Sequence, residues 1–134
     1  MPNFEVFTQR IAPSAGIALV TIQKRGAISL NKTAFVALGE PNAVELLYDR
    51  TERIIGLRSA QPEAEHAYPV RSAAGGHSPF VVSAIAFTKF YNIDTDRTLR
   101  WHASFTDGVL CVELNSVAIP VTSSRSIQRA SSGH

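Results

Sequence analysis

The chain has 134 residues, 45% of them hydrophobic and 18% charged, and 13 Lys and Arg against 11 Asp and Glu leave a net charge of +2. This length excludes a multidomain enzyme but allows one ordinary domain whose apolar core needs no metal or disulfide staple. The near balance of charge excludes a polyelectrolyte of the histone kind, so any nucleic-acid binding has to come from a local patch.

The longest uncharged apolar run, residues 17–22, is far short of the ~20 residues of a membrane-spanning helix. The start, Met1-Pro2-Asn3-Phe4-Glu5, lacks the basic and apolar regions of a secretory signal. The single cysteine, Cys111, sits in the apolar run Val109-Leu110-Cys111-Val112 and reads as a small core residue in a reducing compartment. A soluble, cytoplasmic protein with no membrane partner is expected.

In chain order, residues 4–11 alternate apolar and polar as a strand, and Pro13-Ser14-Ala15-Gly16 supplies a turn. A second strand over 17–23 and a third over 27–30 flank Lys24-Arg25-Gly26, where Gly permits a tight connection. From Asn31 the period becomes helical: Asn31 caps, Ala34, Phe35 and Leu38 share a face, and Gly39 suits the left-handed end. Residues 44–49 and 53–57 form a hairpin, and 59–66 read as a polar linker. The second half has a strand over 67–71, a small-residue loop over 72–78 and a strand over 79–82. Next come a helix over 84–91 capped by Ser83 and ended by Asn92, a strand over 98–104, the Asp107-Gly108 turn and a strand over 109–114. The Ser- and Arg-rich residues 121–134 are expected to be a disordered tail.

Both halves follow one order: strand, Gly-containing loop, strand, short helix, strand, polar turn, strand. Asn31 aligns with Ser83, Ala34-Phe35 with Ala86-Phe87, Leu38 with Phe90, and Val44 and Leu46 with Leu99 and Trp101, while Gly39 falls one residue out of register with Asn92. This is the pattern of two ββαββ pseudo-repeats, about 17–58 and 67–115. A unit of that size is too small to stand alone, so both share one core in a single domain, residues 1–120. The fold class expected is mainly β with two short helices (α+β).

Residues 20–39 read Val-Thr-Ile-Gln-Lys-Arg-Gly-Ala-Ile-Ser-Leu-Asn-Lys-Thr-Ala-Phe-Val-Ala-Leu-Gly. This stretch resembles the AbrB/MazE/MraZ group of swapped-hairpin DNA-binding proteins: a strand, a basic residue with Gly, a strand, and a short helix ending in Leu-Gly before a hairpin. The resemblance is clearest over residues 20–58, and the duplication is similar to that of MraZ-type members. It implies one swapped-hairpin-like β-barrel whose basic face contacts DNA, in a transcription regulator or antitoxin-like factor that forms a homodimer. The chain departs from the pattern at Asn31, where Pro is frequent, and at Phe35 and Phe87, where an Arg is frequent.

Lys24 and Arg25 beside Gly26, with Lys32 in the first turn of the helix, put three positive groups near one loop, as phosphate contacts require. Gln23 could offer its amide to a base edge. Arg71 and Lys89, with His77, are the second-half counterparts, a thinner set. Arg125 and Arg129 in the tail add little. Arg50 and Arg53 beside Asp49 and Glu52, and Arg97 and Arg100 beside Asp94 and Asp96, read as ordinary surface pairs. Tyr48, Trp101, Phe80 and Phe90 are core aromatics in the first instance and base-stacking candidates in the second.

His66, His77, His102 and His134 have no metal-ligand spacing, and Gly75-Gly76 leads to a strand instead of a helix N-terminus. Asp94 and Asp96 sit in a turn where capping explains them. No enzyme and no cofactor are expected. The alternatives to a duplex-DNA regulator are a protein-protein interaction or scaffold module, a single-stranded nucleic-acid binder, and a small-molecule barrel.

Overall fold

Short runs that alternate apolar and polar residues are frequent in the chain, and several, such as those around Val20, Phe80 and Leu110, bury chiefly one face, so strands curl around a shared interior. The computed structural model describes residues 16–73 and 75–121. The strand expected over 4–11 lies outside them, as does all of the expected tail except Val121, with Arg125, Arg129 and His134.

The elements in order are β1 (Leu19–Ile22), β2 (Ile28–Leu30), α1 (Lys32–Ala37), β3 (Ala43–Asp49), β4 (Ile54–Ala60), β5 (Tyr68–Ser72) and β6 (Phe80–Val82). They continue with α2 (Ile85–Phe90), β7 (Leu99–His102), β8 (Ser104–Thr106), β9 (Val109–Glu113) and β10 (Ile119–Pro120). The protein is therefore mainly β with two short helices. The strand order is β10-β7-β1-β2-β6-β5-β3-β4-β9-β8, antiparallel at each pairing. Only Ala103 separates β7, second in this order beside the short β10, from β8 at its far end, so β7 and β8 are one bent strand and the sheet forms a nearly closed barrel. The Ala103 N–H still donates to Ala18 O at 2.9 Å, which extends the β1 pairing past the bend.

Exchanging β1 with β5, β2 with β6, β3 with β7 plus β8, and β4 with β9 maps the pairings onto one another. The β1-β2 pair goes to β5-β6, β3-β4 to β8-β9, and β1-β7 to β5-β3, while β2-β6 and β4-β9 go to themselves. The hairpins of the two halves interleave: β6 and β5 lie between β2 and β3. Neither half has a core of its own.

The register differs in detail from the one expected from the sequence. Both helices end in a Schellman motif. Glu40 N donates to Phe35 O and Gly39 N to Val36 O in α1, as Ile93 N does to Thr88 O and Asn92 N to Lys89 O in α2. Gly39 (φ 89°) and Asn92 (φ 56°) are thus equivalent left-handed residues, in register. Ser83 is not the cap of α2. Ala84 occupies that position without a side-chain bond, so Ala34-Phe35 is equivalent to Phe87-Thr88 and Leu38 to Tyr91. Val44, opposite Tyr68, corresponds to Ala103 and not to Leu99, because the bend at Ala103 lengthens that strand. β4 also runs to Ala60, into the segment expected to be linker.

Ile22, Ile28, Leu30, Ile55, Leu57 and Leu110 fill the barrel with essentially no exposure. Each contributes roughly 1.5–3 kcal/mol by leaving water. Trp101 faces inward opposite Val20, and its indole N–H finds no hydrogen-bond partner among the described residues.

Candidate nucleic-acid interface

The β1-β2 connection is a tight turn that the sequence forms and two distant residues hold in place. Gly26 N donates to Gln23 O at 2.7 Å and Gln23 N to Ala27 O at 2.8 Å. Gly26 has φ 99°, a conformation that a side chain would strain. A Cβ at Gly26 would also lie 2.5 Å from Thr88 Oγ1 and 3.3 Å from Ile85 Cα, so α2 packs on the turn because Gly26 has no side chain. The buried Thr88 hydroxyl lies 3.0 Å from Ile85 O, 3.3 Å from Ala84 O and 3.4 Å from Gly26 O, three carbonyls for one proton. From the other side, Lys24 N donates to Thr98 Oγ1 at 3.0 Å. The turn therefore projects the exposed Lys24 and Arg25 from a backbone fixed on both flanks.

Beside the turn lies a groove of about 650 Å³ whose walls include Thr21, Lys24, Arg25, Ser29, Asn31 and Arg100. Among the described residues no carboxylate lines it. Thr21 and Arg100 are cross-strand partners, and Arg100 Nε donates to Thr21 Oγ1 at 3.1 Å, which leaves the terminal guanidinium nitrogens for an anion. The Asn31 carbonyl oxygen accepts from Ala34 N at 2.9 Å and Leu19 N at 3.0 Å, and its amide donates to Ile17 O at 2.9 Å. One side chain thus caps α1 and ties it to β1. Among the described residues the one ion pair joins Arg58 and Glu45, so Lys24, Arg25 and Arg100 are not neutralised by one.

On the turn's other flank a second cleft, about 590 Å³, shares Lys24 and Arg25 and adds Lys89, Asp94 and Asp96. Its charge is mixed, and Asp94 Oδ1 accepts from Asp96 N.

Of the residues singled out from sequence, Gln23, Lys24 and Arg25 meet in the groove, and Lys89 joins Lys24 and Arg25 in the second cleft. Lys32 lines neither, because its ammonium sits over the stacked rings of Phe35 and Phe80, 5.9 and 5.5 Å from their centroids. Arg71 is exposed on β5, opposite Val81, and also lines neither cleft. Arg100, read as a partner of the nearby aspartates, bonds Thr21 instead. Arg50, read as part of a turn ion pair, lies over Tyr91 and Phe90 at 4.9 and 5.9 Å.

Sequence reasoning missed Thr21, Thr88, Thr98 and Arg100 as parts of this site. Only the strand alternation of Arg100 and Thr21 could have placed them outward, and nothing local to Thr88 or Thr98 points to residue 24 or 26.

Among the described residues no His, Cys, Asp and Glu side chains gather in a group of three that could hold a metal. None of the described helices is long and apolar enough to cross a membrane. Burial, with Glu113 nearby, pushes the Cys111 thiol above its ordinary pKa, the opposite of an activated nucleophile. In comparisons with known proteins the chain matches no family model, no curated protein and no solved structure.

Proposed function

We propose that the chain binds nucleic acid by its phosphates, with the 23–27 turn as the contact element and Arg100 as the third cation. The observation that carries this reading is a groove lined by three cationic side chains and six hydroxyl- or amide-bearing residues, with no carboxylate among the described residues, built on a turn fixed from both flanks. Guanidinium and ammonium groups beside hydroxyls are the donor set that phosphate oxygens take, and a fixed turn loses little entropy on binding. Gln23, half-buried on the groove wall, is placed to offer an amide beyond the phosphates. The resemblance of residues 20–58 to the AbrB/MazE/MraZ group supports a duplex-DNA target and a regulatory role. Arg71 and Lys32 have no part in this contact.

Fluorescence anisotropy with a random duplex at two salt concentrations tests the reading. The expected result is salt-sensitive binding that weakens roughly tenfold or more when Lys24 and Arg25 are both changed to Ala. Binding that ignores salt, or that the double substitution leaves intact, rejects it in favour of an apolar protein-protein surface.

A further inference from the structure

The side of α2 away from the barrel carries a second feature that phosphate binding does not use. Phe90 is 71% exposed, the most exposed aromatic residue among those described. It does not hang loose. Its ring meets Tyr91 edge-on at 4.9 Å, Tyr91 packs on Tyr48 at 4.7 Å, and the Arg50 guanidinium lies over both Phe90 and Tyr91. A large apolar ring with neighbours on its edge yet left in water is a surface for a flat partner, and aromatic platforms of this sort stack bases. The preceding residue, Lys89, lines the second cleft together with Lys24 and Arg25. One cation, the Arg50 guanidinium, thus lies over the Phe90 ring, and the chain neighbour of Phe90, Lys89, shares a cleft with the basic turn. Asp94 and Asp96 share that cleft, with Asp94 already engaged by the Asp96 N–H.

We infer that Phe90 is a stacking site for an unpaired base, so that a single strand whose phosphates lie on the Lys24-Arg25 turn runs past Lys89 and places a base on the Phe90 ring beside Arg50. Arg50 over the ring, with three cations against two carboxylates in the adjoining cleft, favours a polyanion over an apolar peptide. Bases in a duplex have their faces covered and cannot use the ring, so the site adds affinity for unpaired strands beyond what the basic turn gives to duplex phosphates. This inference rests on the nucleic-acid reading above.

The test is an anisotropy titration of the full chain with three labelled probes: an oligothymidylate, an abasic strand of equal length, and a duplex. The proteins are the wild type, Phe90→Ala, Phe90→Trp, and the Lys24→Ala/Arg25→Ala double variant, with thermal melts to show that each is folded. Phe90→Ala is expected to weaken oligothymidylate binding by roughly tenfold while the abasic strand and the duplex change less than about twofold, and Phe90→Trp to retain or tighten it. Oligothymidylate binding that survives Phe90→Ala but is lost in the double variant overturns the stacking site alone. A wild type that binds none of the three probes removes the nucleic-acid reading and the stacking site with it.

Discussion

Two glycines with similar backbone angles separate strain from contact. Gly26 and Gly39 have φ 99° and 89°, but a Cβ at Gly39 meets nothing within 4 Å, whereas at Gly26 it meets Thr88 Oγ1 and the α2 backbone. Gly39→Ala is expected to cost about 1 kcal/mol of strain, and Gly26→Ala about 3 kcal/mol, because the helix must also move. Urea denaturation of both variants measures the difference, and equal losses would mean that α2 does not rest on the turn. The single thiol allows a check on the core near β9. With the Cys111 pKa raised by burial and by Glu113, the thiolate fraction between pH 7 and 8 is smaller than for an exposed cysteine. Alkylation by iodoacetamide should therefore be slower in the folded protein than in urea at the same pH, and should speed up as pH rises.

At the level of elements, Asn31 does more than end a helix. Its oxygen accepts from two backbone donors and its amide donates to Ile17 O, so it couples the start of α1 to the start of β1. Asn31→Ala orphans Leu19 N as well as Ala34 N and is expected to cost about 2 kcal/mol, with Asn31→Asp costing less because the acceptor survives. Thermal melts of the two variants check the order. This cap could be read from the chain, since Asn precedes a helical period, and so could the left-handed ends at Gly39 and Asn92. The cap of α2 was not readable: Ser83 has the better chemistry, yet Ala84 takes the position. Docking of Phe87 and Thr88 against the barrel fixes the helix and overrides the local preference. Thr88 itself reads as a polar helix residue, and only the close approach of Gly26 explains its burial.

For the whole molecule, the strand order shows the difference between shape and chemistry. The alternation of strands, turns and short helices was readable, and with it the mainly β class. The bend at Ala103 that closes the sheet was not, because a single half-buried Ala carries no signal of it. The groove was not readable either. It forms because β7 pairs with β1, which brings Arg100 against Thr21 and Thr98 under Lys24, a neighbour 74 residues away in the chain. The pairing maps one half onto the other, but the turn contents do not follow: Lys24 and Arg25 in the first connection face Ala73, Gly75, Gly76, His77 and Ser78 in the second, with no permanent charge. Under the proposed function, one chain presents one phosphate-binding edge, and the salt dependence of binding counts the contacts. Each phosphate neutralised contributes about 0.9 to the slope of log K against log salt on duplex DNA. Lys24→Ala/Arg25→Ala should lower the slope by about 1.8 and Arg100→Ala by about 0.9. Arg71→Ala, on β5 outside the groove, should leave it unchanged. Titrations at four salt concentrations give these slopes. A loss at Arg71 equal to that at Arg100 would mean that both halves grip the polymer and that the symmetry of the strands extends to binding.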